Sequence, residues 1–308
     1  MIRYLKNKNI DKISWDKCIN NSLNGLVYAQ SWYLDIVSPG WDALIEDDYT
    51  TIMPLPSKKK ILLHYLIQPK LIQQLGIFSV KQISQEVIKQ FIKAIPIKFI
   101  LRDLNFNSYN ECYEPALFTQ RVNYELNINK SYSEISKVFK ENTKRNIFKA
   151  KQYGLKIEQK SLPDLFLENY KLNTNINKDS NSLTILNQII NYTLRNKTGY
   201  IIITYDSDNK VIAGAFFIFS MNRLIYLTSF SGAKGKEFSA MFIIIDFMID
   251  KFSNQQIIFD FEGSMVDGIA RFFRGFGAQP VTYFRYRYTI PVLNKLFKHT
   301  LFNKKLML

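Results

Sequence analysis

Apolar and polar positions alternate in "WDALIEDDYTTIMPLP", Trp41 to Pro56, which predicts a strand hairpin turning at Asp47-Asp48. Lys58–Lys60 follow as a solvated loop or sheet edge, and "HYLIQPKLIQQLGIFS" is a second strand-like run broken by Pro69 and Gly76. In "SQEVIKQFIKAIP" the apolar residues Val87, Ile88, Phe91 and Ile92 recur at helical spacing, and Pro96 closes the helix. "IKFILRDLNFN" reads as a strand. The first half is thus read as strands and loops, then a helix, then a strand.

The second half repeats that order. "GYIIITYDSDNKVIAGAFFIFSMNRLIYLTSFSG" gives three strands with polar turns at Asp206–Asn209 and Met221–Arg223. "EFSAMFIIIDFMIDKF" is an apolar helix, "QQIIFDFEGS" a strand, "DGIARFFRGFG" a short helix and "PVTYFRYRYTI" a last strand. The two series lie about 160 residues apart, which predicts two related α/β halves joined near residues 125–132. Between them, Ser131 and Glu134 form a capping-box pattern, and Ile135, Val138 and Phe139 share a face. The apolar phase then resets near Asn142–Thr143. A second helix from Thr143 turns Ile147 and Ala150 inward and ends at Gly154, with Arg145 and Lys149 together on its outer face.

Composition narrows the picture. The 308 residues are 47% hydrophobic and 22% charged, as expected of a globular chain with one large or two medium cores. Cys18 and Cys112 form no disulfide framework, which makes a reducing compartment the default. The N-terminal stretch has no apolar signal region. The most apolar run, from Ala240, is too short to span a membrane and carries Asp246 and Asp250. The expectation is a cytoplasmic protein. The net charge of +15 reflects either a general habit of Lys-rich composition or an anionic partner. It concentrates at residues 137–160, with eight Lys/Arg against two Glu, and in the tail from Pro291, with four Lys and no acid. Lys144, Arg145 and Lys149 are the candidate phosphate contacts. The tail, 291–308, reads as a basic amphipathic helix. It either packs on the protein or lies on an anionic membrane surface, at the inner face.

Two segments carry candidate chemistry. Asp260 and Glu262 stand at the exit of an apolar strand, two residues apart and so on one face if the strand is regular. A poorly solvated carboxylate there can accept a proton near neutrality. The other reading pairs both acids with arginines such as Arg271, Arg274 or Arg285. In "SFSGAKGKEFS", Ser229, Ser231, Gly232, Gly235, Lys236 and Ser239 precede the apolar helix. Such a loop either presents backbone N–H groups to an anion or is an ordinary strand-to-helix turn. The chain has no P-loop, no dinucleotide fingerprint and no zinc-ligand spacing, so no metal site is expected.

"ENTKRNIFKAKQYGLKI" resembles the rRNIrkAkk-G-v segment of the Fem-type peptidoglycan aminoacyltransferases, within the GNAT superfamily. "YLTSFSGAKGKEFSAMFIIIDFMIDKFSNQQIIFDFEGS" followed by "GIARFFRGFGA" is similar to the second half of those proteins, and "IMPLPSKKK" and "PKLIQQLGIFS" to the first half of a related branch. The resemblance implies an α/β fold of two GNAT-like (acyl-CoA N-acyltransferase) domains with mixed sheets flanked by helices. The expected bounds are 1–128 and 129–290, with the tail at 291–308. The strands around Ile225 and Ile258 should run side by side and splay apart at their C-terminal ends.

The implied activity moves an acyl or aminoacyl group from a coenzyme A thioester or a charged tRNA to an amine. A cell-envelope precursor is one such acceptor, and no cofactor is bound permanently. Glu262 is then the base or amine anchor, with Asp260 beside it. Two departures stand out. Gly232 and Gly235 do not form the glycine pattern that holds coenzyme A, and Phe272 and Phe273 stand where many relatives carry a proton-donating tyrosine, leaving Tyr283 or Tyr286 for that task. The rival expectation is a catalytically lapsed GNAT-like module that only binds a phosphorylated ligand or partner. The sequence does not specify oligomeric state.

Overall fold

The computed structural model describes residues 1–60, 63–112, 114–174, 180–263 and 265–290. The tail helix and membrane contact expected for 291–308 lie outside the described residues, as does Ser264 in the expected strand end. The chain divides into two compact units. One comprises Met1–Arg121 with the residues from Thr282 onward, the other Val122–Val281.

In chain order the first unit holds β1 (Ile2–Leu5), α1 (Lys12–Asn21), α2 (Ser31–Val37), β2 (Asp42–Glu46), β3 (Thr51–Leu55), β4 (Ser57–Lys60), β5 (Leu63–Ile67), β6 (Phe78–Ser79), α3 (Gln85–Ala94) and β7 (Phe99–Phe106). β2 and β3 form the expected hairpin, with left-handed backbone at Asp47 and Tyr49 making the turn. α1 and α2 precede the first element that the sequence patterning predicts. α1 is capped by Asp11, whose carboxylate accepts the N–H groups of Ile13 and Ser14. Its buried residues Trp15, Cys18 and Ile19 follow helical spacing. Trp15 packs against Trp41 with the rings tilted, 4.6 Å between ring centres. β4 is outermost in the order β4-β5-β7, and Lys58–Lys60 are exposed along it. β5 and β7 are parallel, joined through α3. Apolar side chains of α3, Ile88 and Phe91, close over this sheet.

The second unit begins within β8 (Phe118–Asn127) and continues through α4 (Tyr132–Lys137), α5 (Glu141–Gln152), β9 (Lys156–Lys160), α6 (Pro163–Asn173), α7 (Ser180–Arg195), β10 (Gly199–Tyr205), β11 (Val211–Ser220) and β12 (Arg223–Ser231). Then come α8 (Ala233–Glu237), α9 (Ala240–Phe252), β13 (Ile258–Asp260), α10 (Asp267–Gly275) and β14 (Gln279–Thr289). Its strand order is β8-β13-β12-β11-β10-β9, antiparallel except for the parallel pair β12·β13. A parallel pair bridged by a helix therefore occurs once in each unit, as the internal repeat predicts. β14 was expected in the second domain, but from Phe284 to Thr289 it pairs antiparallel with β7 of the first unit.

Alternation along β11 divides the second unit into layers. Ala213, Ala215 and Phe217 face the core built on α9, while Phe216 meets Phe166 of α6. The capping box at Ser131 is formed, and the helix breaks between Lys137 and Glu141, slightly before the expected reset. α5 buries Thr143, Ile147 and Ala150 and ends before Gly154, whose φ of 62° only glycine adopts freely. Asp246 is buried in α9, where it accepts from the Tyr132 hydroxyl and pairs with Lys151 at 3.6 Å. Burial pushes its carboxyl above the ordinary range.

α5 and α10 meet at Gly275. A Cβ there would lie 2.3 Å from Thr143 Oγ1, and the Gly275 carbonyl accepts from Lys140 N at 2.8 Å. Gly275→Ala should cost about 1–3 kcal/mol by overpacking. Adding Thr143→Ala should recover most of that loss, because the clash is with the hydroxyl. Urea unfolding of both single variants and the double variant measures the coupling.

Candidate active site

β12 and β13 pair for three residues only, Arg223–Ile225 against Ile258–Asp260. They then follow different neighbours. β12 stays on β11 as far as Ser231, while Phe261 N still bonds to the Tyr124 carbonyl on β8 at 3.0 Å. A register shift at Phe216/Phe217 places an extra β12 residue, Leu227, beside the parting. Such bulges turn a strand away from its partner and re-aim side chains.

Three strands share one charged cluster at the last paired rung. Asp260 on β13 lies opposite Glu125 on β8. Arg223 on β12 bonds to both, at 3.0 Å to Asp260 and 2.8 Å to Glu125. Asn123 donates to Asp260 at 3.0 Å. Only 3% of Asp260 is exposed. Its desolvation pushes the carboxyl above the ordinary carboxylate range, against the pull of Arg223. Asp260 therefore pairs with Arg223 rather than with Arg271, Arg274 or Arg285. Arg285 instead grips Asp103 with two 2.6 Å bonds inside the first unit. Both oxygens of Asp260 are thus engaged, Oδ1 by Asn123 and the Glu262 N–H and Oδ2 by Arg223.

Glu262 lies beyond the strand end and is half-buried. Regular alternation stops at Asp260, so the two acids do not share a face as strand residues. Glu262 has φ of 58°, and its N–H donates back to Asp260 Oδ1 at 3.0 Å. A non-glycine residue held in the left-handed region costs about 1–2 kcal/mol, a strain that persists only where surroundings enforce it.

The serine- and glycine-containing segment is largely engaged in packing. Ser229 and Ser231 are in β12, and the Ser231 hydroxyl is buried without a partner. Gly232 N donates to the Ile212 carbonyl at 2.9 Å. Gly235 sits so close to β11 that a Cβ would lie 2.3 Å from that same carbonyl. Lys236 is exposed on α8, and Ser239 is buried with its hydroxyl on Asn146 at 2.7 Å. Lys144, Arg145 and Lys149 all project from α5. Lys144 pairs with Glu141 at 3.1 Å, Arg145 is exposed, and Lys149 lies 5.8 Å from the centre of the Tyr153 ring.

Tyr283 and Tyr286 belong to the first unit, both buried, Tyr286 against Phe106 and Phe118. Phe273 is buried against Phe261 and Tyr124, and Phe272 packs on Phe242 and Phe276. Sequence reading missed Asn123, Glu125, Arg223 and Tyr226. Arg223 carried a signal, a charged residue opening an otherwise apolar strand. Among the described residues no cluster of His, Cys, Asp and Glu could hold a metal, and no helix is long and apolar enough to cross a membrane.

At the level of sequence, no family model and no curated protein matches the chain. Solved structures do. The chain superposes on FemX with a TM-score of 0.67 at 11% identity, covering 96% of this chain and 99% of FemX. L-PGS from Bacillus licheniformis superposes with a TM-score of 0.51 at 11% identity, over 85% of this chain and 89% of that one. A conserved protein of unknown function from Bacteroides thetaiotaomicron gives a TM-score of 0.51 at 14% identity, over 94% and 100%. The chain therefore has the fold of FemX, as the resemblance implied.

Replacing Arg223 with leucine would leave Glu125 and Asp260 facing each other unpaired. The expected cost at neutral pH is about 3–5 kcal/mol, as for other broken buried pairs. In that variant the buried Asp260 carboxyl holds its proton more tightly in the folded state than in the unfolded chain, where it titrates near about 4. Stability should therefore fall as pH rises, and the deficit against wild type should shrink as pH drops from 7 toward 5. Denaturant unfolding across that range checks the sign.

Proposed function

We propose that the chain is an N-acyltransferase or aminoacyltransferase that moves an acyl or aminoacyl group from an anionic donor to an amine. The observation that carries this reading is Glu262, strained and half-buried at the mouth of a parallel strand pair that parts after three rungs. An ammonium ion cannot attack a carbonyl, so the reaction requires a proton acceptor at such a place. The parting strands offer a slot for the acyl chain of the donor. The Arg223 cluster fixes the turn that presents the carboxylate. The FemX-type fold and the sequence resemblance to Fem-type aminoacyltransferases support the same reading.

Charged tRNA suits the site better than coenzyme A. The Gly232 N–H is already bonded to a protein carbonyl, and Gly235 is packed against the same group. The basic outer face of α5 supplies Arg145 and Lys149 toward an extended polyanion. A cell-envelope precursor is the proposed class of amine acceptor. The lapsed-module reading rests on the two phenylalanines at positions 272 and 273.

Two measurements test these assignments. Transfer from aminoacyl-tRNA or acyl-coenzyme A to amine acceptors is followed by mass spectrometry. Glu262→Gln should lower the rate about 10²-fold with folding intact. Glu262→Gly should be as inactive yet melt no lower than wild type, because glycine relieves the left-handed strain. Full activity in Glu262→Gln would remove the catalytic assignment, and a wild-type chain that binds but never transfers would favour the lapsed module. In calorimetry, tRNA should bind more tightly than coenzyme A, and joint replacement of Arg145 and Lys149 by alanine should weaken tRNA binding and flatten its salt dependence.

A further inference from the structure

Acyl transfer needs a proton delivered as well as one removed. When an amine displaces a ribose hydroxyl or a thiol, the departing oxygen or sulfur leaves as an anion unless an acid meets it. Phe272 and Phe273 carry no hydroxyl, and Tyr283 and Tyr286 are both buried on β14. In the second unit, Tyr132 donates to Asp246, and Tyr170 accepts from Thr228 at 2.9 Å.

Tyr226 differs. It directly follows Ile225, the last β12 residue paired with β13, so it stands where the strands begin to part. Its ring rests on Phe217 and, edge-on, on Phe273. Phe273 in turn packs on Phe261, the chain neighbour of Glu262. Tyr226 and Phe261 thus pack on the same ring, Phe273, and Glu262 follows Phe261 in the chain. Tyr226 is only partly buried, and its hydroxyl is hydrogen-bonded to Ser229 two positions beyond the bulge residue Leu227.

Taking the transferase reading as its basis, we propose that Tyr226 is the general acid of the reaction, its hydroxyl oriented by Ser229. The amine nitrogen bonds to the acyl carbon and gives its proton to Glu262. The bond from that carbon to the donor oxygen or sulfur breaks, and Tyr226 passes its proton to the departing atom. The tyrosinate then regains a proton from solvent through the Ser229 hydroxyl, and Glu262 releases its own. One proton moves from amine to leaving group, and no other reactant is consumed. Burial pushes the Tyr226 hydroxyl up to about 12, so the proton is present at neutral pH.

The test compares donors that do and do not need an acid. Alanyl-tRNA releases a ribose hydroxyl, whereas alanine p-nitrophenyl ester releases a phenolate that leaves unaided; a lysine-containing peptide serves as amine. Tyr226→Phe keeps the ring packing. It should lower kcat about 10²-fold with alanyl-tRNA at unchanged KM, and leave the nitrophenyl ester reaction nearly as in wild type. Ser229→Ala should show a smaller loss with the same donor selectivity, and provides the test should Tyr226→Phe fold poorly. Equal rates in variant and wild type, or equal losses with both donors, would overturn the role of Tyr226 while the transferase reading stands. A wild-type chain inert toward both donors would overturn that reading and this proposal together.

Discussion

One guanidinium holds the centre of the second unit. Arg223 reaches two carboxylates on the same side of its strand, Asp260 on its parallel neighbour and Glu125 one strand further. Parallel pairing over three residues contributes few ladder hydrogen bonds, so β13 depends on this cluster to stay in register. Desolvating three charges is costly, and the cluster is best understood as specifying one arrangement rather than as adding net stability. Its influence extends to the backbone. Asp260, fixed by Arg223 and Asn123, accepts the N–H of Glu262, and that bond helps hold a conformation glutamate otherwise avoids. A chain of four hydrogen-bonded groups therefore runs from β8 to the exposed end of β13.

Much of the architecture was legible because it is written in periodicity. The apolar helix α9, the strands β10 to β12 and the phase change inside residues 131–154 all have unambiguous spacing, and each formed as read. α1 was missed although Asp11, Trp15, Cys18 and Ile19 carry a capped helical pattern; its other positions are polar enough to pass for loop. The allegiance of β14 was hidden for another reason. Strand partners are chosen in three dimensions, and nothing in "PVTYFRYRYTI" says which sheet it will join.

The candidate site was half visible. Two acids ending an apolar strand marked the place, but regular alternation was assumed one residue too far, and the turn at Glu262 separated their fates. Asp260 became a buried anchor and Glu262 a half-exposed carboxylate. Asn123, Glu125 and Arg223 could not be grouped from sequence, because their meeting depends on the register of three strands distant along the chain. For Gly232 and Gly235 the sequence left two readings open, anion contact or an ordinary strand-to-helix turn; the bond from Gly232 N to the Ile212 carbonyl and the close approach of Gly235 to it are features of the turn.

The outermost strands place part of the positive charge in a different light. β4 carries Lys58, Lys59 and Lys60 exposed in sequence, and β9, at the far end of the second unit's strand order, begins and ends on Lys156 and Lys160 around Glu158. An unpaired strand edge invites another edge to add to it, and lysine side chains make that addition unfavourable by repulsion and by the loss of their hydration. These residues act against self-association into extended sheets. Part of the net +15 therefore sits where it disfavours edge pairing.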